Sequence, residues 1–212
     1  MKREDLILIG GGGHCQSCID VIEEAKKFRI AGIIDLAKKV GQKVLGYPII
    51  ASDDKIGQLV KEYKNFFVTI GFVKDVKRRI EIYQQLKTLR AGLPVICSPY
   101  AVVSKHASVG DGTIIMHQAV INAQAVVGCN VIVNTSAVVE HGAQVGDHCH
   151  VSTGAIVNGE AMLGSESFIG SKAVIHQNCR VVSQTIIGAG AVVHKDIKEK
   201  GCYVGVPAVR IS

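Results

Sequence analysis

The chain has 212 residues, 48% of them hydrophobic, which allows one large or two modest domains with an ample core. No run of 18 or more apolar residues occurs, so no membrane insertion is expected. The net charge of +6 is scattered through the first hundred residues rather than gathered into a stripe with aromatics; this argues against nucleic acid and suits a small anionic ligand such as a nucleotide or coenzyme.

The opening stretch MKREDLILIGGGG has too short an apolar run for a signal peptide, and the expected location is cytoplasmic. Leu6–Ile9 is a short apolar strand, followed by the turn Gly10-Gly11-Gly12-Gly13 and an amphipathic helix from His14 to about Lys27. A second strand, Ile30–Ile34, ends at Asp35, and Lys38-Lys39 follow in the next loop. Tyr47–Ile50 is a short extended piece. Asp54–Tyr63 and Lys74–Leu89 have helical spacing, with the strand Phe66–Ile70 between them, and Leu93–Cys97 closes the unit before Pro99. Strands alternating with helices predict a Rossmann-like parallel α/β domain over residues 1–98.

In such a sheet, ligands bind beyond the carboxyl ends of the strands, where glycines let backbone N–H groups approach phosphate oxygens. The dinucleotide fingerprint is incomplete: Gly10 and Gly12 are present, but the third glycine position is Cys15. One nucleotide or a nucleotide sugar is therefore favoured over a dinucleotide, and over an oxidoreductase built on this loop. Asp35 is placed either to accept a hydrogen bond from a ribose or sugar hydroxyl or to cap the turn into Leu36–Lys39. Seven cysteines, an odd number, argue against a disulfide framework. Cys15 and Cys18 read as packing residues rather than a redox pair, and zinc at His14, Cys15 and Cys18 lacks a second ligand pair, so no metal is expected.

From Val103 to Val193 an aliphatic residue recurs at every sixth position, and four residues after each stands a mostly small partner such as Ala119, Ala137 or Ala155. Helices need spacings of 3 and 4 and free strands a spacing of 2, so a sustained 6 predicts a parallel β-helix of about five coils stacked at roughly 4.8 Å. Cys149 and Cys179 fall on its small inward positions. Gly110, Gly128, Gly146, Gly164, Gly170 and Gly188 follow large residues, where sharp corners are expected to demand glycine's φ values.

The hexad run resembles the left-handed parallel β-helix of hexapeptide-repeat acyltransferases. Together with Leu6–His14, Ile34-Asp35, Val139-Glu140-His141, His150–Gly154 and the tail Val204–Arg210, the whole chain is similar to one subfamily, the sugar acetyltransferases that include bacillosamine-type nucleotide-4-amino-sugar N-acetyltransferases and sialic acid O-acetyltransferases. The resemblance implies a homotrimer with acetyl-CoA in the groove between neighbouring β-helices of residues 99–212. It implies His141 as general base, with Glu140 the carboxylate beside it in sequence. It implies His150, Gly159, Ser171, Gly188 and Ala189 near the coenzyme, and Gly10–His14 with Asp35 around the nucleotide-sugar substrate. Many relatives carry an acid directly after the histidine, whereas this chain has Gly142, and Glu140 on the preceding position points the other way if the strand continues. His106, His117, His176 and His194 are expected to be solvated or structural and His148 to lie on the surface. The leading expectation is direct acetyl transfer to the amino group of a UDP-linked 4-amino-deoxysugar. O-acetylation of a sialic acid is the alternative, and a non-catalytic trimeric scaffold the bland one.

Overall fold

The computed structural model describes residues 3–212. Its first part is a five-stranded sheet in the order β3-β4-β2-β1-β5, where β1 is Glu4–Ile9, β2 Phe28–Asp35, β3 Lys43–Val44, β4 Tyr47–Ser52 and β5 Asn65–Val68. All pairs are parallel except the β3–β4 hairpin. Helix α1 (Gly13–Ala25) packs Cys15, Cys18, Ile19 and Ile22 on one face of the sheet. A single turn, α2 (Ile56–Leu59), and α3 (Lys77–Thr88) cover the other through Ile56, Ile82 and Leu86. Both faces of β1 and β5 are therefore buried, which is why they read as continuous apolar runs rather than alternating ones. The helix expected over 54–63 shrinks to that one turn preceded by a 3-10 turn at Asp53–Lys55.

The second part is a left-handed parallel β-helix of two-residue strands, wound so that each strand pairs with the one 18 residues on. Its three sides are a six-stranded, a five-stranded and an eight-stranded sheet, the last extended by the tail strands Cys202–Val204 and Val209–Arg210. The second residue of each strand and the small residue four positions later fill the interior; Ile121, Val139, Val157, Ala137 and Ala155 are all fully buried. Ile96-Cys97, expected to close the first sheet, pairs instead with Ile114-Ile115 as a rung of the β-helix.

One expectation about corners is corrected. From Gly112 onward the left-handed residue of each corner comes three positions after the large one, at Gly112, Gln118, Gln124, Asn130, Ser136, Gly142 and on to Gly190, and most of these are not glycine. The glycines that follow large residues have ordinary φ. A Cβ there would strike the next coil: at Gly146 it would lie 2.6 Å from the Ser165 amide nitrogen, at Gly170 2.5 Å from that of Ala189. Close stacking selects them, not backbone angle.

The outward residues of the strands differ by side. On the eight-stranded side Ile96, Ile114, Ile132, His150 and Phe168 are buried, because the first part docks there through α1 and through Phe72 and Val76. The buried Arg79 fastens the joint, donating to the carbonyls of Val68 (2.7 Å), Ile70 (2.9 Å) and Asn130 (3.2 Å). On the six-stranded side the outward residues Val102, Val120, Val138, Ile156, Val174 and Val192 form an apolar stripe that this chain leaves partly exposed.

Candidate functional site

The glycine turn opens onto a cavity of about 730 Å³ at the carboxyl ends of β1, β2 and β5, lined also by Lys39, Phe72, Arg78, Asn134 and His150. Gly10 is required by its φ of +105° and by Ile70, whose Cγ1 lies 2.5 Å from where a Cβ would stand. Around Gly12 and Gly13 nothing lies within 4 Å of such a Cβ, so the N-terminus of the 13-residue helix α1 faces open cavity. Unpaired amides and the positive end of the helix dipole favour an anion there. Lys39 and Arg78 also line the cavity, ion-paired with Asp35 and Asp53.

Asp35 is tied into its own loop rather than capping the 3-10 turn Ala37–Lys39, which has no side-chain cap. Its carboxylate accepts from the amides of Leu36 (2.7 Å) and Gly11 (2.8 Å) and pairs with Lys39 at 2.8 Å. Burial works against its charge, but these donors outweigh it and hold the pKa below the usual value. Asp35 still borders the cavity, so it shapes the loop and leaves a hydroxyl contact open to the bound ligand.

His14 and His150 face each other in the same cavity, ring centroids 6.3 Å apart. His150 is clamped: Nδ1 lies 2.9 Å from the Phe72 carbonyl, and Nε2 lies 3.1 Å from Asn134 Nδ2. Burial, with Arg79 nearby, pushes its pKa down to about 4 despite the favourable carbonyl. His14 is lowered to about 3, mainly by burial and then by Arg79 and His150, and its Nε2 is buried without a partner. Both rings are neutral at pH 7 and act as dipoles rather than cations. Cys15 and Cys18 lie under α1 with thiols pushed up by burial, Cys15 to about 11, which removes the thiolate a redox pair needs.

His141 stands elsewhere. It is exposed at the corner between the six- and five-stranded sides, in a cavity of about 390 Å³ shared with Glu140, Asn158, Gly159, Glu160 and Asn178. Its ring leans over Gly159 in the next coil, where a Cβ would lie 2.7 Å from Cε1 and 2.8 Å from Nε2. Glu140 Oε2 accepts from the His141 amide at 3.2 Å, within its own corner. Ser171, Gly188 and Ala189 sit at the other edge of the apolar stripe, the corner between the eight- and six-stranded sides, where Ser171 Oγ is 3.2 Å from Ser152 Oγ. Within one chain the expected residues thus fall into three groups. The glycine loop takes His150 with it, Ser171 to Ala189 lie at the near corner, and His141 with Gly159 lies at the far one.

His148, expected on the surface, is buried against Tyr83 (ring centroids 5.4 Å) and hydrogen-bonded to Asn130 at 3.0 Å. Docking of α3 over that corner covers it. His117 bridges the two parts, bonded to Ser98 Oγ at 2.7 Å and to Asp20 at 3.0 Å. Arg78, Phe72 and Asn134 were not legible as cavity residues, since only tertiary packing brings them to the glycine loop. Lys39 carried a signal, its place four residues after Asp35.

Residues 5–86 match the family of the PglD N-terminal domain. The acetyltransferase domain of PglB from Neisseria gonorrhoeae is 30% identical, covering 99% of this chain and 100% of that one, with a TM-score of 0.92. The same domain in complex with acetyl coenzyme A is 31% identical over 99% and 100%, with a TM-score of 0.87. Perosamine N-acetyltransferase from Caulobacter crescentus, solved with CoA and GDP-perosamine as a variant with one histidine replaced by asparagine, is 29% identical over 98% and 97%, with a TM-score of 0.92. Among curated protein sequences nothing matches.

Proposed function

The chain belongs to the hexapeptide-repeat sugar N-acetyltransferase family, whose members use acetyl-CoA, and from that premise we propose that it acetylates the amino group of a nucleotide-linked 4-amino-deoxysugar within a homotrimer. The carrying observation is the pairing of an anion-ready helix N-terminus, flanked by Lys39 and Arg78, with a β-helix corner bearing an exposed histidine. The nucleotide diphosphate lies against Gly12 and Gly13, and the sugar extends past His14 toward His150. We take UDP as the nucleotide, although the Caulobacter relative was solved with GDP-perosamine.

Oligomerisation follows from where the parts sit. The apolar stripe Val102 to Val192 is flanked by His141 and Gly159 on one edge and by Ser171, Gly188 and Ala189 on the other. Packing that stripe around a three-fold axis buries it and brings one chain's His141 edge against its neighbour's other edge, beside that neighbour's glycine-loop cavity. The coenzyme then occupies the groove so formed.

His141 acts as general base. The sugar nitrogen attacks the thioester carbon; His141 accepts the proton released as the N–C bond forms, and returns it to the sulfur as the C–S bond breaks. Acetyl passes directly: among the described residues Cys15, Cys18, Cys149 and Cys179 are buried, and the half-buried Cys97, Cys129 and Cys202 do not line the His141 cavity. The test is CoA-thiol release with UDP-, GDP- and dTDP-linked 4-amino sugars against free sialic acids. Turnover on the amino sugars supports the proposal, and turnover confined to sialic acids replaces it with O-acetylation.

A further inference from the structure

We infer that Glu160 is the carboxylate that positions His141, a reading that rests on His141 being the base. Corner residues 18 apart stack in a column, and their side chains interact along it: Ser136 bonds Gln118 at 3.2 Å, and Gln184 bonds Glu166 at 3.1 Å. In the column Gln124, Gly142, Glu160, Asn178 the second member has no side chain. Glu160 fills that vacancy. Its Cδ lies 2.5 Å, and its Oε2 2.9 Å, from where a Cβ on Gly142 would stand, with Oε1 closer still. The carboxylate is thereby carried back one coil, to the level of His141.

The imidazole moves the opposite way. Gly159 lets the His141 ring lean forward one coil, toward the base of Glu160. The two glycines, diagonal to each other, make room for two side chains that cross between adjacent coils and line one small cavity. Neither side chain makes a hydrogen bond or ion pair among the described residues, to the other or to any third group, while one oxygen of Glu140 accepts from the His141 amide. A carboxylate accepting one ring N–H fixes the tautomer that leaves the other nitrogen free to take the substrate's proton. Catalytic contacts of this kind are often long without substrate and tighten on binding.

The test is steady-state kinetics on the full-length protein with acetyl-CoA and its amino-sugar acceptor. Glu160→Gln keeps shape and loses charge; kcat is expected to fall about 10- to 100-fold with both KM values within about twofold, the size typical of an outer orienting group. Glu160→Asp recovers part of the loss. Gly142→Glu combined with Glu160→Ala, which clears the gap that a glutamine would still fill, supplies the carboxylate from the other side and brings kcat back to within about fivefold; a merely structural Glu160 would not be rescued. Wild-type kcat in Glu160→Gln, or a loss that neither Glu160→Asp nor Gly142→Glu relieves, overturns the inference. His141→Ala separates the two levels: full activity there sinks the base itself, whereas an inactive His141→Ala beside a normal Glu160→Gln sinks only the positioning role.

Discussion

Replacing Gly159 by alanine is the sharpest probe of the histidine corner. The new Cβ would sit 2.7 Å from Cε1 and 2.8 Å from Nε2 of His141. Carbon contacts relax to about 3.5–4.0 Å, so the ring must retreat by about 1 Å. Gly159 has no left-handed φ, and His141 is exposed, so the backbone tolerates alanine and the ring has somewhere to go. Folding stability should change by less than about 1 kcal/mol. Catalysis should not escape: a displacement of about 1 Å in a proton-transfer group costs on the order of 100-fold, or about 2.7 kcal/mol of barrier. Thiol-release kinetics with acetyl-CoA and a nucleotide amino sugar, together with a thermal midpoint, measure both quantities. The reasoning is refuted if kcat holds within threefold of the parent while KM for acetyl-CoA rises; position 159 would then serve coenzyme approach alone.

Three further expectations test other links. Gly146→Ala should cost about 2–3 kcal/mol because its Cβ meets backbone of the next coil, whereas Gly154→Ala, with φ of +65° and only Lys172 Cγ at 3.4 Å, should cost about 1 kcal/mol; chemical denaturation giving the reverse order contradicts the stacking explanation. Both buried histidines have folded pKa values below the unfolded value, so below about pH 6.5 the unfolded chain binds protons that the folded one refuses until about 4 for His150 and about 3 for His14. Stability should fall as pH drops from 6.5 toward 4, by about 1 kcal/mol per pH unit for each ring, and His150→Gln should flatten the urea-midpoint profile; an unchanged slope would contradict it. Gly12→Asp places a negative charge where the phosphate is expected without touching the fold. Mixed with inactive His141→Ala under subunit exchange it should recover about a quarter of wild-type activity, since random trimers build that fraction of sites from one intact loop and one intact histidine; no recovery would place both groups in one chain.

Much of this was legible because the β-helix is local and periodic. Each hexad specifies its own inward pair, so Ile121 and Ala125, or Val157 and Ala161, reveal the interior without any knowledge of the rest. The strand, glycine turn and helix at Leu6–Lys27 were equally readable, since an apolar run, a glycine cluster and an amphipathic stretch are each visible locally. What escaped depends on stacking and docking. The stacking glycines looked like corner glycines because both kinds interrupt the hexad, and only the 18-residue neighbour tells them apart. His148 is hidden by α3, which arrives from more than sixty residues away in sequence. His150 went with the glycine loop because the first part docks on the side it occupies. Glu160 carried a signal in retrospect, its position 18 after Gly142, but the spacing has meaning only once three sides per coil are established.

The central claim is that acetyl moves from acetyl-CoA to an amino sugar with His141 taking the proton. It is tested most directly by product analysis of the protein incubated with acetyl-CoA and a UDP-linked 4-amino sugar, run in parallel with His141→Ala. The parent is expected to yield an N-acetylated nucleotide sugar and stoichiometric CoA thiol, with turnover at least about 100-fold lower in the variant. Equal turnover by the two proteins, or thiol release without any N-acetylated product, would contradict it.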